Sequence, residues 1–218
     1  MGEQNLRRLT ERASDPISLD AVDRRLMNWN HPDRVNKRIF RELISMLEHK
    51  NGFYEFERAL HVFPASDRYN IQSIEKWNEP ATWKFAFDFD FEGMLFFAED
   101  AFGNQFGIKD GSIIRFDAET CEINGLSDSL DGWAHRILSD IDYETGANVA
   151  RDWQKINGFL ETGSRLLPKL PFVLGGEYSA ENLYSIDAVQ GLRFRAEIYN
   201  QIKNVPDGTP IEIKVIED

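Results

Sequence analysis

The sequence of 218 residues predicts an α+β fold in which a meander of antiparallel strands is combined with helices. Apolar residues repeat at helical spacing in residues 32–52 and 127–141, whereas they alternate with polar residues between 83 and 123. The composition adds a third observation. Sixteen Phe residues and an aromatic content of 12% provide the large side chains that a buried core needs.

The helices are predicted from their apolar stripes and from the residues at their ends. The clearest helix covers residues 32–52, with Pro32 and Asp33 at its start and Asn51-Gly52 at its end. Three more stripes predict helices over residues 127–141, 149–160 and 187–205, capped by Ser127 or Ser129 in the first and by Asp187 in the last. A short stripe near the N-terminus consists of Leu19, Val22, Leu26 and Trp29.

The strands are predicted from a period of two and from short turns. FYEFERALHVFP, residues 53–64, begins the sheet, and WKFAFDFDFE follows as a long strand. In that strand the Phe residues at 85, 87, 89 and 91 face the core, and the acidic residues face solvent. Short strands then follow, with turns at 103–104, 110–111 and 118–119; they are MLFFAED, QFGIK, SIIRFD and TCEI, and TPIEIKVI ends the chain after a turn at 206–208.

The pair Asp88 and Asp90 raises the question of a magnesium-dependent hydrolase. Such enzymes place Asp-x-Asp at the end of a buried parallel strand, and those strands tend to be apolar throughout. Here the strand alternates, and the next forty residues are hairpins without a crossover helix. We therefore interpret the two aspartates as part of a solvated strand face.

No other pattern brings together a nucleophile, a base and a stabilising group. The four histidines, at positions 31, 49, 61 and 135, are far apart, and no metal-binding or phosphate-binding motif is present. Cys121 is the only cysteine, which excludes an intrachain disulfide and fits a reducing, cytoplasmic location. The glycines in LGGE, residues 174–177, indicate a turn. We predict a protein that is not an enzyme and uses no metal or cofactor.

The charge distribution indicates the kind of partner. The net charge is −12, and residues 51–150 hold nineteen acidic and seven basic residues, whereas residues 1–50 carry +2 and residues 151–218 carry −2. An acidic middle region repels nucleic acid and anionic membranes and attracts a basic protein. No apolar run of about 18 residues predicts a membrane span.

The order of the elements resembles the SUKH superfamily, which contains bacterial toxin-immunity proteins and fungal regulators of cell-wall synthesis. The resemblance covers residues 33–142. It depends on GMLFFAEDAFGNQFGI, on the helix end at Asn51-Gly52 and on the helix SLDGWAHRIL. The Pro-rich tail from about residue 166 lies outside the common core. The resemblance implies a curved antiparallel sheet backed by helices, with an N-terminal segment (1–30), a core (31–145) and a C-terminal α/β extension (146–218) that packs on the core.

The resemblance also implies a function, which is that of an immunity protein, or antitoxin, for a toxin used in bacterial competition. It would bind and occlude a cognate and basic toxin, such as a nuclease. The alternatives are a regulatory scaffold in cell-envelope synthesis and the metal-dependent hydrolase that uses Asp88 and Asp90. The candidate protein-binding residues are Asp88, Asp90, Glu92, Glu99, Asp100, Asp117, Glu119 and Glu122.

Overall fold

The computed structural model describes residues 4–22, 37–68, 70–206 and 208–209. These residues form seven α-helices, which are α1 (Gln4–Arg12), α2 (Lys37–His49), α3 (Ile74–Asn78), α4 (Leu130–Ser139), α5 (Ile141–Thr145), α6 (Ala147–Asn157) and α7 (Ala188–Ile202). They form eight strands, which are β1 (Phe53–Glu55), β2 (Leu60–Val62), β3 (Leu95–Glu99), β4 (Gln105–Lys109), β5 (Ser112–Phe116), β6 (Ile123–Ser127), β7 (Ser164–Pro168) and β8 (Leu183–Asp187).

Strands β1 to β6 form one antiparallel sheet whose spatial order equals the chain order, which confirms the predicted meander. The turn between β4 and β5 explains one step of this order. Asp110 and Gly111 have φ values of 48° and 76° between the paired residues Lys109 and Ser112. Two left-handed residues match the twist of a tight hairpin. Register shifts in β3 and β5 mark bulges, which bend the sheet.

Helices pack on this sheet, and their predicted caps are largely confirmed. The Ser129 side chain accepts a hydrogen bond from the Gly132 amide at the start of α4, and Asp187 accepts one from the Gln190 amide at the start of α7. Trp133 of α4 is fully buried against Phe97 and Phe106 of the sheet. A large buried indole contributes strongly to the core because it removes much apolar area from water.

The C-terminal part adds a second, two-stranded sheet of β7 and β8, which is covered by α7. It is joined to the larger sheet through the backbone, since the Leu166 amide donates to the Ala101 carbonyl at 2.9 Å. Leu9 of α1, Trp133 of α4 and Leu192 of α7 belong to one hydrophobic cluster. The described residues therefore share a single core, and no helix among them is both long and apolar enough to cross a membrane.

The predicted strand WKFAFDFDFE is wrong, because this segment forms a 3₁₀ helix at Lys84–Ala86 followed by irregular backbone. Strand β3 already pairs with β2 and β4, so it offers no free edge for another strand. The Phe residues instead build a compact cluster around Trp83. Phe87 and Phe91 contact its ring, whereas Phe85 is 63% exposed and lies under Arg193.

Several other predicted elements differ from the structure. TCEI is mostly a turn, since Cys121 has a φ of 57° and β6 begins only at Ile123. Residues 19 and 22 are not helical, and helix α1 precedes them unpredicted. Some predictions fall outside the described residues, namely the stripe positions Leu26 and Trp29, the helix start at Pro32 and Asp33, and most of the final strand TPIEIKVI.

Candidate protein-binding surface

Asp88, Asp90 and Glu92 are exposed although their segment is not a strand. Phe87 is buried, and Phe89 and Phe91 are partly buried against the core, so aromatic residues still point inward and acidic residues outward. The Asp88 amide donates to the Asn200 side chain at 2.9 Å, which fixes the segment to α7. The Asp90 carboxylate accepts the Glu92 amide at 2.8 Å and so shapes the local turn.

The turn between β5 and β6 presents two further carboxylates beside this segment. Asp117 is partly buried and Glu122 is exposed, and the Asp117 amide donates to the Glu122 carbonyl at 2.9 Å. The rings of Phe89 and Phe91 lie 5.5 and 5.3 Å from that of Phe116, which immediately precedes Asp117. We call the resulting surface the acidic face, and it consists of Asp88, Asp90, Glu92, Asp117 and Glu122.

The acidic face carries little compensating charge. Lys203 of α7 pairs with the carboxylate of Asp88. Within the described parts of the chain, the other four carboxylates have no ion-pair partner. Five carboxylates beside one ammonium group leave the surface negative, and a negative surface of this kind accelerates encounter with a basic protein.

Glu99 was predicted at the surface, and the structure shows that it is fully buried. Its carboxylate lies 2.7 Å from Arg165 Nε and 3.0 Å from His61 Nδ1. Burial alone would raise the pKa of Glu99, but Arg165 and His61 together outweigh burial and lower this pKa. The same burial lowers the pKa of His61 to about 4, so His61 is neutral near pH 7. The ion pair of Glu99 with Arg165 thus connects β7 to β3 of the larger sheet.

Asp100 and Glu119 are also buried, so they do not belong to the exposed surface either. Asp100 accepts hydrogen bonds from the amides of Phe102 and Asn104, both at 2.9 Å, and pairs with Arg115 at 3.0 Å. Burial nevertheless raises the pKa of Asp100. This carboxylate shapes the turn between β3 and β4.

Glu119 connects the turn after β5 to the C-terminal part. It lies 3.2 Å from Arg195 of α7 and accepts a hydrogen bond from the Val173 amide at 2.9 Å. Burial raises the pKa of Glu119, and the nearby Arg195 only partly opposes this. Of the eight predicted residues, five therefore form one surface and three hold the interior together.

The sequence contains a signal that Glu99 is buried. All five residues of β3 are buried, and MLFFA is apolar without alternation, which is typical of a strand covered on both faces. A carboxylate that ends such a run must find a cation or amide donors, because an unpaired buried charge is too costly. Its partner Arg165 comes sixty-six residues later in the chain, and only the folded structure identifies it.

The placement of Asp88 and Asp90 differs from that of a magnesium-binding Asp-x-Asp pair. Both residues are exposed and lie on irregular backbone, and the Asp88 carboxylate forms an ion pair with Lys203. Among the described residues, no group of three or more His, Cys, Asp or Glu side chains is arranged to hold a metal ion.

A surface that the sequence did not predict lies in the loop 169–179, beside Glu119. Leu170, Val173 and Tyr178 are 48%, 43% and 64% exposed. The Tyr178 ring stacks on Phe172 with 3.8 Å between the ring centroids. A Cβ at Gly176 would lie 1.9 Å from the Leu170 carbonyl oxygen, which explains the glycine turn. The loop therefore presents apolar side chains to solvent on a closely packed base.

Comparison with known proteins defines the fold class. No protein-family model matches the chain, and no curated protein matches it. One similar solved structure is the crystal structure of Atu4351 from Agrobacterium tumefaciens, with a TM-score of 0.61 and 16% identity over 89% of this chain and 88% of that one. At this identity the likeness shows the fold alone. The chain is thus an α+β protein with the fold of Atu4351 and an acidic face.

Proposed function

We propose that this protein is an immunity protein that binds a cognate, basic bacterial toxin and blocks it by occlusion. The observation that supports this proposal most strongly is the acidic face. Four of its five carboxylates lack an ion-pair partner within the described chain, and they stand on a base of packed aromatic rings. A rigid surface loses little conformational freedom on binding, which favours tight association.

The resemblance of residues 33–142 to the SUKH superfamily supports the same proposal, since bacterial members of that superfamily neutralise toxins. The charge agrees with it as well. A chain with a net charge of −12 is attracted over long range to a basic enzyme, such as a nuclease, whose substrate is a polyanion. Occlusion then requires only that the acidic face cover the surface that the substrate would occupy.

Co-expression tests this proposal. The product of the neighbouring gene is expressed from an inducible promoter, with and without this chain, and survival is scored by colony counts. We expect the product to kill the cells alone and this chain to restore survival, with a one-to-one complex on size-exclusion chromatography. Killing that continues at equal protein levels, without a complex, would refute the proposal for that pair.

Variants of the acidic face make the test specific. The face variant combines Asp90→Asn, Glu92→Gln and Glu122→Gln, which removes three charges and keeps side-chain oxygen atoms. The control variant combines Asp110→Asn, Asp152→Asn and Glu161→Gln, three exposed positions elsewhere on the chain, and it changes the net charge equally. We expect protection to weaken in the face variant when the toxin is expressed strongly, and to remain in the control variant.

A further inference from the structure

A pocket of about 190 Å³ opens between the loop 169–179 and the turn after β5. Phe172 and Tyr178 form its aromatic side, and Asp117, Glu119 and Arg195 form its polar side. We call it the Tyr178 pocket. Asp117 also belongs to the acidic face, so the pocket and the face are continuous.

The size of the Tyr178 pocket suits a single side chain. Pockets for drug-sized ligands and cofactors occupy about 300–1,000 Å³, and this one is clearly smaller. At about 30 Å³ for each water, it would hold roughly six waters when nothing else is bound. A long side chain that enters from a partner protein would displace several of them.

The polar side of the pocket is incompletely paired. Glu119 and Arg195 are 6% and 3% exposed, and Arg195 Nη1 lies 3.2 Å from Glu119 Oε1. In the described structure Glu119 Oε1 and the Arg195 atoms Nε and Nη2 are buried without a hydrogen-bond partner, and Asp117 has no ion-pair partner. Buried polar atoms without partners usually mark a place where water or a ligand completes the bonding. The carboxylate oxygen calls for a donor and the two guanidinium nitrogens call for an acceptor. The charged groups that line the pocket therefore decide which sign of ligand it favours.

The electrostatic field in the pocket favours a cation. Two carboxylates outnumber one guanidinium among the charged groups that line it. The pKa of Tyr178 is raised, first by burial and then by the negative charges of Glu119, Asp117 and Asp100, which the charge of Arg115 opposes only partly. The Tyr178 ring, which is stacked on Phe172, also lines the pocket, and ammonium and guanidinium groups are attracted to aromatic rings.

The surroundings of the pocket resemble the centre of a protein interface. Val173 and Tyr178 line the pocket and expose apolar area, and Leu170 exposes more in the same loop. The acidic face lies beside the pocket. Interfaces typically combine an aromatic and aliphatic centre with a charged and polar rim. This arrangement indicates a protein partner with a basic residue at its own centre.

We propose that the Tyr178 pocket receives a lysine or arginine side chain of the partner, and that the loop 169–179 is the apolar centre of the interface. The identity of the partner as a basic toxin rests on the proposed function. The preference of the pocket for a cationic side chain is a property of this chain alone, and it can be measured without the toxin.

The test is a titration followed by ¹H–¹⁵N NMR of the full chain at constant ionic strength. The probes are N-acetyl-arginine methylamide, its neutral citrulline analogue and the anionic N-acetyl-glutamate methylamide. With the arginine probe we expect saturable shifts at the amides of Thr120, Val173 and Tyr178, with a millimolar dissociation constant. With the citrulline probe we expect binding at least about fivefold weaker.

Variants connect the shifts to the pocket. Asp117→Asn keeps the oxygen that accepts the amides of Glu119 and Thr120, so the turn persists while the charge is lost. We expect it to weaken the arginine probe about fivefold to tenfold. Asp110→Asn, the same change at the opposite end of β5, should leave binding unchanged. Tyr178→Leu keeps an apolar side chain without a ring and should also weaken binding.

Three results would overturn the inference. They are no saturable shift at these amides with the arginine probe up to about 100 mM, equal binding of the citrulline analogue, and preferential binding of the glutamate probe. The outcomes separate this inference from the proposed function. If the pocket prefers arginine but the protein fails to protect cells, the cation site is supported and the immunity function is refuted. If the protein protects cells but the pocket shows no preference for arginine, the immunity function is supported and the cation site is refuted.

Discussion

Replacement of Arg165 by Met tests the role of the buried ion pair in joining the two sheets. Arg165 lies on β7 and is almost completely buried, with its Nε 2.7 Å from Glu99 Oε1 and its Nη1 donating to the Arg58 carbonyl at 3.2 Å. Its guanidinium also lies 5.6 Å from the centre of the Tyr54 ring. The substitution keeps much of the side-chain volume and removes the charge.

The expected loss of stability follows from the unpaired carboxylate that Arg165→Met leaves in the core. Among the described residues, Glu99 would keep only His61 and Gln105 as side-chain partners, and the cation that lowers its pKa most would be gone. Removal of one member of a buried ion pair destabilises a protein by about 3–5 kcal/mol. At about 2–4 °C for each kcal/mol in a chain of this size, the melting temperature should fall by about 6–20 °C.

Urea denaturation at pH 7, monitored by circular dichroism and Trp fluorescence, measures the free energy of unfolding. The control is the double variant Glu99→Leu/Arg165→Met, which removes both charges and should recover a large part of the loss. A loss below about 1 kcal/mol in the single variant, or a double variant no more stable than the single one, would contradict the assigned role of Arg165.

Three further predictions concern buried groups. The pKa of His61 is about 4 in the folded protein and about 6.5 in the unfolded chain, so stability should fall by roughly 3 kcal/mol as the pH drops from 6.5 through 4; urea titrations should show a smaller fall for His61→Gln, and an identical fall would contradict this. Cys121 is buried and its pKa is raised to about 12, so iodoacetamide at pH 8 should alkylate it at least about a hundredfold more slowly in the native protein than in urea; comparable rates would refute its burial. Gly146 has a φ of 72°, and a Cβ there would lie 2.4 Å from the Phe102 ring, so Gly146→Ala should lower the unfolding free energy by about 2 kcal/mol; unchanged thermal melting would show that Phe102 moves freely.

Much of the fold could be predicted from the sequence because local signals agree with it. The short apolar runs after residue 95 and the turn at Asp110-Gly111 are set by neighbouring residues, and so is the cap at Asp187. Helix α1 could not be predicted in this way. It has only two buried apolar side chains among its described residues, Leu6 and Leu9. A residue distant in the chain stabilises its start, since the Asp131 carboxylate accepts hydrogen bonds from the amides of Asn5 and Leu6.

The strand predicted at residues 84–92 is wrong for a different physical reason. Alternation of Phe with acidic residues requires only that the rings point inward, and irregular backbone achieves this when a large ring such as Trp83 stands at the centre. The period therefore predicted the exposure of Asp88 and Asp90 without predicting the backbone. The burial of Glu99, Asp100 and Glu119 depends on arginines 15 to 76 positions away in the chain, and no local pattern shows such contacts.

The proposed binding of a basic toxin to the acidic face is tested most directly by the association rate constant, measured by stopped-flow fluorescence. We predict that the face variant associates about threefold to tenfold more slowly than the natural protein at low salt. Its dependence on salt should be weaker, while the control variant of equal net charge behaves as the natural protein does. Equal rate constants and equal salt dependence for all three proteins would contradict the claim.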